Sequence, residues 1–412
     1  MHAAQSCRHC GQPVNVVVAD LGATPVSNDY LRAEAVDGPE PYYPLRALVC
    51  EECKLVQLQD FFKGDDLFRE DYAYFSSFST SWLRHCELYA EAMIERFGLS
   101  DASQVVEIAS NDGYLLQYFQ RNGVRVLGVE PCLSVAQTAI DTRSIPTEVA
   151  FFGAATAQAL VDRGIQADHM AANNVLAHVP AINDFLDGFR ILLKPQGVVT
   201  FEFPHLLRLI QQSQFDTIYH EHFSYISLLA AERMLDAVGL RVFDVEELPT
   251  HGGSLRLFVC HKGADHAETD RVAAVRAEED AGGLNDIDTY RQFSESVRKV
   301  KRDLLKLLVE LKEQGASIVG YGAAAKGNTL LNYCGVGADM IDYVVDMSPH
   351  KQGMFLPGTR LPILAPAEIE KTRPDYVMIL PWNIKDEVMT QLAGIREWGG
   401  KFIVAIPSPQ VL

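Results

Sequence analysis

The amino-acid sequence predicts an α/β fold in three parts, and three observations carry that prediction. Two Cys-x2-Cys pairs, Cys7/Cys10 and Cys50/Cys53, stand in a turn-rich N-terminal stretch. From about residue 71 to 250, helical stretches alternate with short apolar runs, the pattern of βαβ units and a mostly parallel sheet. From about 251, a strand-like run and a long charged stretch lead into a second such alternation. The expected division is therefore 1–70, 71–250 and 251–412, with a Rossmann-like, doubly wound layout for both larger parts.

The first part carries short extended runs, Val14–Val18 and Leu45–Val49, between turn formers. Each Cys-x2-Cys turn presents two thiolates on one side. Two such turns close a tetrahedral four-sulfur shell of the kind zinc accepts, with no position left open for chemistry. The expectation is a structural zinc on Cys7, Cys10, Cys50 and Cys53, with a redox pair or unbound thiols as the alternatives; His9 between two ligands is read as a bystander. Such an ion would hold together a segment too small to rely on its own core. The residues between the pairs, among them Leu21-Gly-Ala-Thr-Pro-Val-Ser-Asn28, exceed what a compact zinc ribbon needs.

In the second part the expected strands are Val105–Ile108, Val126–Val129, His169–Ala172 and Val198–Phe203, with helical pattern around 81–97 and 185–194. Glu107-Ile-Ala-Ser110-Asn111-Asp112-Gly113 reads as the end of a first strand, a tight turn and a helix start. There a ligand can approach the backbone. Glu130, at the end of the next strand, is placed to accept both hydroxyls of a ribose. A dinucleotide site wants GxGxxG, and this loop has a single Gly. Acidic residues around it suit a sulfonium cation better than a pyrophosphate. The reading is therefore an S-adenosylmethionine site built from Glu107, Ser110, Asn111, Asp112, Gly113 and Glu130. Asn173, Asn174 and His178 join it from the end of the third strand, and an ordinary turn is the plain alternative.

After the fourth strand, Tyr219-His220-Glu221-His222 places four titratable groups in a row among aromatics. A core seldom tolerates that density of polar groups without a use. A histidine titrating near ~6.5 can take a proton at neutral pH. A histidine of this row could then serve as base, Tyr219 could steady a developing enolate oxygen and Glu221 could orient the imidazole. A metal on His220 and His222 with Glu221, or a hydrogen-bonded core cluster, are the other readings.

The third part has expected strands Ser254–Cys260, Ser317–Gly320, Ile341–Val345, Tyr376–Ile379 and Phe402–Ala405, with helical periodicity over 265–315. Gly320-Tyr-Gly-Ala-Ala-Ala-Lys-Gly-Asn-Thr329 follows a strand and should open a helix; its small residues bare the backbone amides, the helix N-terminus favours an anion, and Lys326 adds positive charge. Its order of Gly and Lys is not that of a Walker loop. A relic domain without ligand is the alternative. His251-Gly-Gly-Ser-Leu-Arg256 at the junction reads as a contributor to the same ligand or as a hinge.

The composition bounds the function. The chain has 412 residues and a formal net charge of -18, which argues against nucleic acid and anionic membranes as main partners. No apolar run is long enough to span a bilayer. The four single cysteines, Cys86, Cys132, Cys260 and Cys334, lie among apolar neighbours as buried thiols suited to a reducing compartment, so a cytoplasmic location is expected. Nothing in the sequence fixes an oligomeric state; a monomer is compatible with it.

Taken together and in this order, the two cysteine pairs, Glu107-Ile-Ala-Ser-Asn-Asp-Gly-Tyr-Leu115, Gly128-Val-Glu-Pro131, Asn173-Asn-Val-Leu-Ala-His-Val179 and Tyr219-His-Glu-His-Phe-Ser-Tyr225 resemble the zinc-containing C-methyltransferases of nucleotide-linked deoxysugars. The resemblance runs through the whole chain. It implies a class I methyltransferase domain in the middle and transfer of a methyl group from S-adenosylmethionine to C3 of a 4-keto-deoxysugar, dTDP- or GDP-linked. It also implies that Tyr219, Glu221 and His222 lie at the reacting sugar, with His222 as base. Tyr72 and Tyr74 match a family segment near the same pocket, Tyr72 assigned to catalysis and Tyr74 to the substrate, although either could be the matching residue. The C-terminal domain would help hold the nucleotide diphosphate, with Lys326 and Asn328 as its contacts and His178 near the sugar. An NAD(P)-dependent oxidoreductase and a zinc-dependent interaction protein are the rival functions.

Overall fold

In a computed structural model the described residues are 5–59, 61, 62, 77 and 80–412. Tyr72 and Tyr74 fall outside them.

The N-terminal part forms a four-stranded antiparallel sheet from Val16–Thr24, Tyr43–Val49, Val56–Leu58 and, at its far edge, Ser224–Tyr225. The last of these comes from the Tyr219–Tyr225 segment, so the N-terminal sheet grips that segment directly. The two cysteine turns have matching backbones. Cys7 N–H donates to Gln12 O at 2.7 Å and Gly11 N–H to Cys7 O at 2.9 Å; Cys50 N–H donates to Leu55 O at 3.0 Å and Lys54 N–H to Cys50 O at 2.9 Å. Gly11 and Lys54 occupy equivalent left-handed positions, φ +74° and +63°. Glycine meets that demand without strain, while lysine accepts it at some cost.

The central sheet has seven strands in the spatial order Leu240–Leu248, Ser254–His261, Leu193–Pro204, Ala167–Asn173, Gln104–Ile108, Arg125–Val129, Thr147–Glu148. The five strands from Leu193–Pro204 to Thr147–Glu148 are parallel, and Ser254–His261 runs antiparallel between Leu193–Pro204 and Leu240–Leu248. Chain order reverses direction at Gln104–Ile108, so a crevice opens at the carboxyl ends of that strand and its neighbours. The sequence reading put a domain boundary at 250, but Ser254–His261 lies inside this sheet. Its alternating run shows a strand without showing its partner, and the partner here is Leu193–Pro204 through the register Val199–Val259 to Pro204–Ser254.

The expected helical stretch 265–315 is two helices, Asp270–Ala281 and Ile287–Glu313, parted by Gly282-Gly283. Gly283 sits at φ +78°, a turn that ends the first helix. Asp286 caps the second, its side chain accepting from Asp288 N–H at 3.0 Å. Tyr290, Phe293, Val297, Val300, Leu304, Leu308 and Leu311 make a buried stripe at spacings of three and four along this helix. They share one core with Val18, Leu21 and Leu45 of the N-terminal sheet and with Ile318, Val344, Met378 and Ile403 of the C-terminal sheet. Each such side chain contributes about 1.5–3 kcal/mol by leaving water. The helix therefore binds two parts of the molecule with one face.

The C-terminal sheet is ordered Ile363–Leu364, Val344–Val345, Ile318–Tyr321, Tyr376–Ile379, Lys401–Val404, Gln410–Val411, parallel except for the last strand. Among the described residues, no helix is long and apolar enough to cross a membrane.

Candidate active site

The four N-terminal sulfurs converge. Sγ atoms of Cys7, Cys10, Cys50 and Cys53 all lie within 4.8 Å of one another, with Cys7–Cys53 and Cys10–Cys50 each at 3.5 Å. A tetrahedral zinc with bonds of ~2.3 Å needs sulfur–sulfur edges of about 3.8 Å, so the set fits that ion. All eight cysteines are free thiols. His9 points elsewhere: its Nδ1 lies 2.8 Å from Asn183 Oδ1, and Asn183 Nδ2 donates to His9 O at 2.8 Å, docking the module on the helix Ile182–Leu192.

The cofactor loop lies at the crevice of the central sheet. Ala109 and Asn111 both hold positive φ, +53° and +49°, and Asn174 on the neighbouring strand end holds +57°. Three non-glycine residues in the left-handed region around one crevice mark a backbone shaped for a ligand at some cost in strain. Gly113 is required: at φ +77°, a Cβ there would lie 2.5 Å from Ile145 Cδ1. Gly128 is required as well, because its Cβ would fall 2.3 Å from Ser110 Oγ.

Glu107 and Glu130 are buried, at 0% and 5% exposure. Burial drives the Glu107 carboxyl well above the usual range, against partial opposition from the Tyr114 side chain, and the charges of Asp112 and Glu130 push it further. Burial also raises Glu130. Both of its oxygens already accept backbone N–H groups, Oε2 from Asn111 at 3.0 Å and Oε1 from Cys132 at 2.9 Å. Glu130 thereby ties the loop to the next helix, and each oxygen keeps a lone pair for a hydroxyl. Asp112 accepts from Ser77 Oγ, and Arg143 stands 3.6 Å from its Oδ2. Ser110 Oγ, Asp112 Oδ1 and both amide atoms of Asn173 are buried without a hydrogen-bond partner among the described residues. Such orphaned groups are costly, and they cluster where a nucleoside and an amino-acid tail would satisfy them. Three carboxyls around one loop suit a cation. The residues fit S-adenosylmethionine.

The Tyr219–His222 segment lies beside this crevice. His222 Nδ1 is 2.9 Å from Thr217 O, and a carbonyl only accepts, so Nδ1 carries the hydrogen. Nε2 is then the lone pair, and Tyr219 O–H donates to it at 2.8 Å. His178 packs on His222 with ring centroids 4.6 Å apart and donates from Nδ1 to Glu221 O at 2.7 Å. Burial first, then the neighbouring His178, His251 and Lys326, hold His222 well below its usual pKa. Burial alone takes His178 down to about 4. Both imidazoles are therefore neutral at pH 7. Glu221 does not orient the imidazole as expected, because Thr217 O and the Tyr219 hydroxyl take the two ring nitrogens of His222; burial raises its carboxyl to about 6. His220 is separate from this group: it lies against Pro44 O and the rings of Tyr43 and Phe62. The metal alternative for His220 and His222 has no support, since the described residues contain one metal-competent cluster, the cysteines.

Lys326 reaches the same region from the C-terminal domain. Its Nζ donates to Asn383 Oδ1 at 2.7 Å and lies 5.0 Å from the Trp382 ring centroid. Asn328 is 1% exposed; its Oδ1 accepts from Asn332, and its Nδ2 has no partner among the described residues. The expected baring of loop amides is only partly met. Gly322 N–H donates to Val345 O and Ala323 N–H to Asp346 Oδ2, so these amides are already taken. Gly322 and Gly327 instead admit Pro381 and Leu380, whose side chains would lie 2.6 and 2.7 Å from an added Cβ.

Several site residues carry no sequence signal. Asn28 donates to Glu221, Asp216 accepts from Trp382, and Glu202 pairs with Arg256 at 2.8 Å and His85 at 3.1 Å. Burial pushes Glu202 up, but His85 and Arg256 outweigh it and leave it below the usual range. Thr250 Oγ1 donates to Glu202, which anchors the turn carrying His251 at φ +56°. The His251–Arg256 segment thus belongs to the central domain's site. The sequence reading of His251–Arg256 as a contributor to the C-terminal ligand or as a hinge did not foresee this partner, because Glu202 lies on a strand some fifty residues earlier.

Comparison with known proteins agrees with this geometry. Three family descriptions match in succession: "Putative zinc binding domain" over residues 7–68, "Methyltransferase domain" over 82–245 and "C-methyltransferase C-terminal domain" over 249–407. The C-methyltransferase NovU of Streptomyces niveus is 37% identical over 406 residues, covering 98% of this chain and 96% of that protein. Among solved structures, the 1,6-didemethyltoxoflavin-N1-methyltransferase of Burkholderia thailandensis overlaps 52% of this chain and 97% of its own at 14% identity and a TM-score of 0.36. The magnesium protoporphyrin IX methyltransferase of Synechocystis PCC 6803 with bound SAH overlaps 44% and 83% at 12% identity and a TM-score of 0.35. These two overlaps are too slight to carry an argument. The relative that spans nearly the whole chain carries it: this protein belongs to the zinc-containing, S-adenosylmethionine-dependent C-methyltransferases.

Proposed function

We propose that the enzyme methylates C3 of a nucleotide-linked 4-keto-deoxysugar, and that the division of labour follows the three parts of the chain. The observation that carries the proposal is the neutral His222, with its Nδ1 hydrogen fixed on Thr217 O and its Nε2 facing Tyr219, beside the cofactor crevice. A ketone acidifies the neighbouring C–H, and a neutral imidazole is the form that can remove that proton. His222 Nε2 takes it; the Tyr219 hydroxyl, freed from Nε2 as the proton arrives, donates to the enolate oxygen. His178 and Glu221 line the same space and hold the sugar, and Lys326 with Asn328 meets the diphosphate; Tyr72 and Tyr74 are assigned to the sugar by the resemblance alone. Glu107, Ser110, Asn111, Asp112, Gly113, Glu130, Asn173 and Asn174 hold the methyl donor. Bound there, S-adenosylmethionine supplies an electrophilic methyl group on a sulfonium.

The sugar assignment is supported by the full-length likeness to NovU and by a base suited to carbon rather than to a ready oxygen or nitrogen nucleophile. A reducing cytoplasm suits eight free thiols and a thiolate-bound zinc. The test is incubation with S-adenosylmethionine and either a dTDP- or a GDP-linked 4-keto-deoxysugar, with the product mapped by NMR. A new methyl carbon on C3 is expected. A methyl on oxygen or nitrogen, or no transfer to either sugar, overturns the reading.

A further inference from the structure

The sequence between the two cysteine pairs is longer than metal binding requires, and the structure gives the surplus a use. Residues 26–31 leave the zinc module as a strap. Leu31 pairs with Phe355 of the C-terminal domain, N–H to O at 3.0 Å and 2.8 Å in the two directions, and Tyr30 O–H donates to Ala323 O at 2.6 Å. Ser27 Oγ lies 3.3 Å from Thr329 Oγ1. The strap is thus clamped to the C-terminal domain, and it points one side chain the other way. Asn28 Nδ2 donates to Glu221 Oε1 at 2.9 Å.

We propose that Asn28 is the positioning residue for Glu221, holding its carboxylate ionised and turned so that Oε2 receives a hydroxyl of the sugar substrate. This rests on the methyltransferase reading above. The geometry has two parts. An ionised carboxylate only accepts, so the amide must present Nδ2 to it, which leaves Asn28 Oδ1 toward Tyr30 O–H at 3.5 Å. Glu221 is 3% exposed, and its second oxygen, Oε2, is buried without a hydrogen-bond partner among the described residues. A buried carboxylate oxygen of that kind needs a donor, from a ligand or from water, and one aimed into the substrate space is open to a substrate hydroxyl. Asn28 itself is exposed, so its replacement does not disturb a core.

The groups around Glu221 come from every neighbouring element. Asp29, on the strap, raises its pKa; Tyr225, from the Ser224–Tyr225 strand, has its own hydroxyl raised first by burial and then by the Glu221 charge; His178 donates to its backbone carbonyl. Burial is the first cause of the rise to about 6, and Asn28 opposes it through side chain and backbone. Removing the amide therefore moves the carboxyl upward, and the acid limb of activity with it.

The test uses the full-length, zinc-loaded protein with Asn28→Ala and Asn28→Asp. In Asn28→Ala, kcat on the sugar nucleotide falls about tenfold, and the acid limb of kcat rises by about one pH unit. S-adenosylhomocysteine affinity, read by calorimetry, stays unchanged. Asn28→Asp, which sets a second carboxylate against the first, moves the limb further. Independently of turnover, the Glu221 carboxyl is titrated by NMR in protein carrying 13C-carboxyl glutamate, with Glu221→Gln for assignment. Its midpoint rises in both variants. A kcat loss with limb and midpoint both unmoved reduces Asn28 to a structural contact and overturns the proposal, as does an unchanged enzyme. A wild-type protein that leaves the sugar unmethylated fails the functional reading instead, while the Glu221 titration still decides the role of Asn28.

Discussion

Trp382→Phe isolates one hydrogen bond that joins the C-terminal domain to the turn holding His222. Trp382 Nε1 donates to Asp216 Oδ2 at 2.7 Å, Asp216 is completely buried, and the following residue, Thr217, supplies the carbonyl that fixes His222. Burial raises Asp216 to about 6, with Lys326 and Trp382 pulling it down. An N–H bond to a charged carboxylate is worth about 2 kcal/mol, which at ~1.4 kcal/mol per pH unit lifts Asp216 to about 7.5 when the donor is lost. The sign follows from linkage. A carboxyl whose folded pKa exceeds its unfolded one costs stability that builds as pH rises from the unfolded value, 3.8 here, to the folded one and levels off above it. In wild type that cost is complete soon above pH 6, and in the variant it keeps growing to about pH 8.5.

The pH-dependent part of the destabilisation is therefore near zero at pH 5, about 1.3 kcal/mol at pH 7, where the variant's carboxyl escapes by protonating, and about 2 kcal/mol at pH 9. Ring loss at a 7% exposed tryptophan adds a constant. Urea unfolding at the three pH values, compared with the Asp216→Asn background where the pH dependence should vanish, is the assay. A difference between Trp382→Phe and wild type that is flat from pH 5 to 9 refutes the reasoning, because Asp216 would then not be titrating against this bond.

Three other outcomes are expected. His222→Ala abolishes turnover while S-adenosylhomocysteine still binds in calorimetry; unchanged turnover would remove His222 from the base role. Cys50→Ser, which takes one sulfur from the four-thiol shell, lowers zinc content measured by mass spectrometry from one ion per chain and lowers the melting midpoint by about 5–10 °C in scanning calorimetry. Gly128→Ala, whose Cβ would sit 2.3 Å from Ser110 Oγ, costs about 1–3 kcal/mol in urea unfolding and weakens S-adenosylhomocysteine affinity, since the loop must shift to admit it; wild-type affinity would show that the loop yields freely.

How much of the site could be read in advance depends on the range of the interactions involved. The cysteine pairs, the loop Glu107–Gly113 and the row Tyr219–His222 are local, so spacing alone brought out their residue types. His220 was drawn into the catalytic row by adjacency, yet the turn sends its ring to Pro44, Tyr43 and Phe62. Asn28 stands 193 residues before Glu221 and Asp216 stands 166 before Trp382. No periodicity or motif marks partners so far apart. The Gly-rich loop at 320–329 shows the opposite failure: its composition implied bare amides, whereas the glycines there make room for Leu380 and Pro381.

Local spacing marked the main strands of the two parallel sheets, the cysteine quartet and the kinds of group in the Glu107–Gly113 loop and the Tyr219–His222 row, but not the strand Leu240–Leu248 or the break between the helices Asp270–Ala281 and Ile287–Glu313. The features it marked rest on short-range spacing and on the periods of two and 3.6 residues. Only the tertiary contacts put Ser254–His261 inside the central sheet, extend the N-terminal sheet with Ser224–Tyr225, and bring Asn28 and Trp382 from the two flanking parts onto the Asp216–His222 segment. Strand partners and long-range hydrogen bonds depend on which buried faces and orphaned polar groups meet when the chain collapses, and that matching is a property of the whole fold.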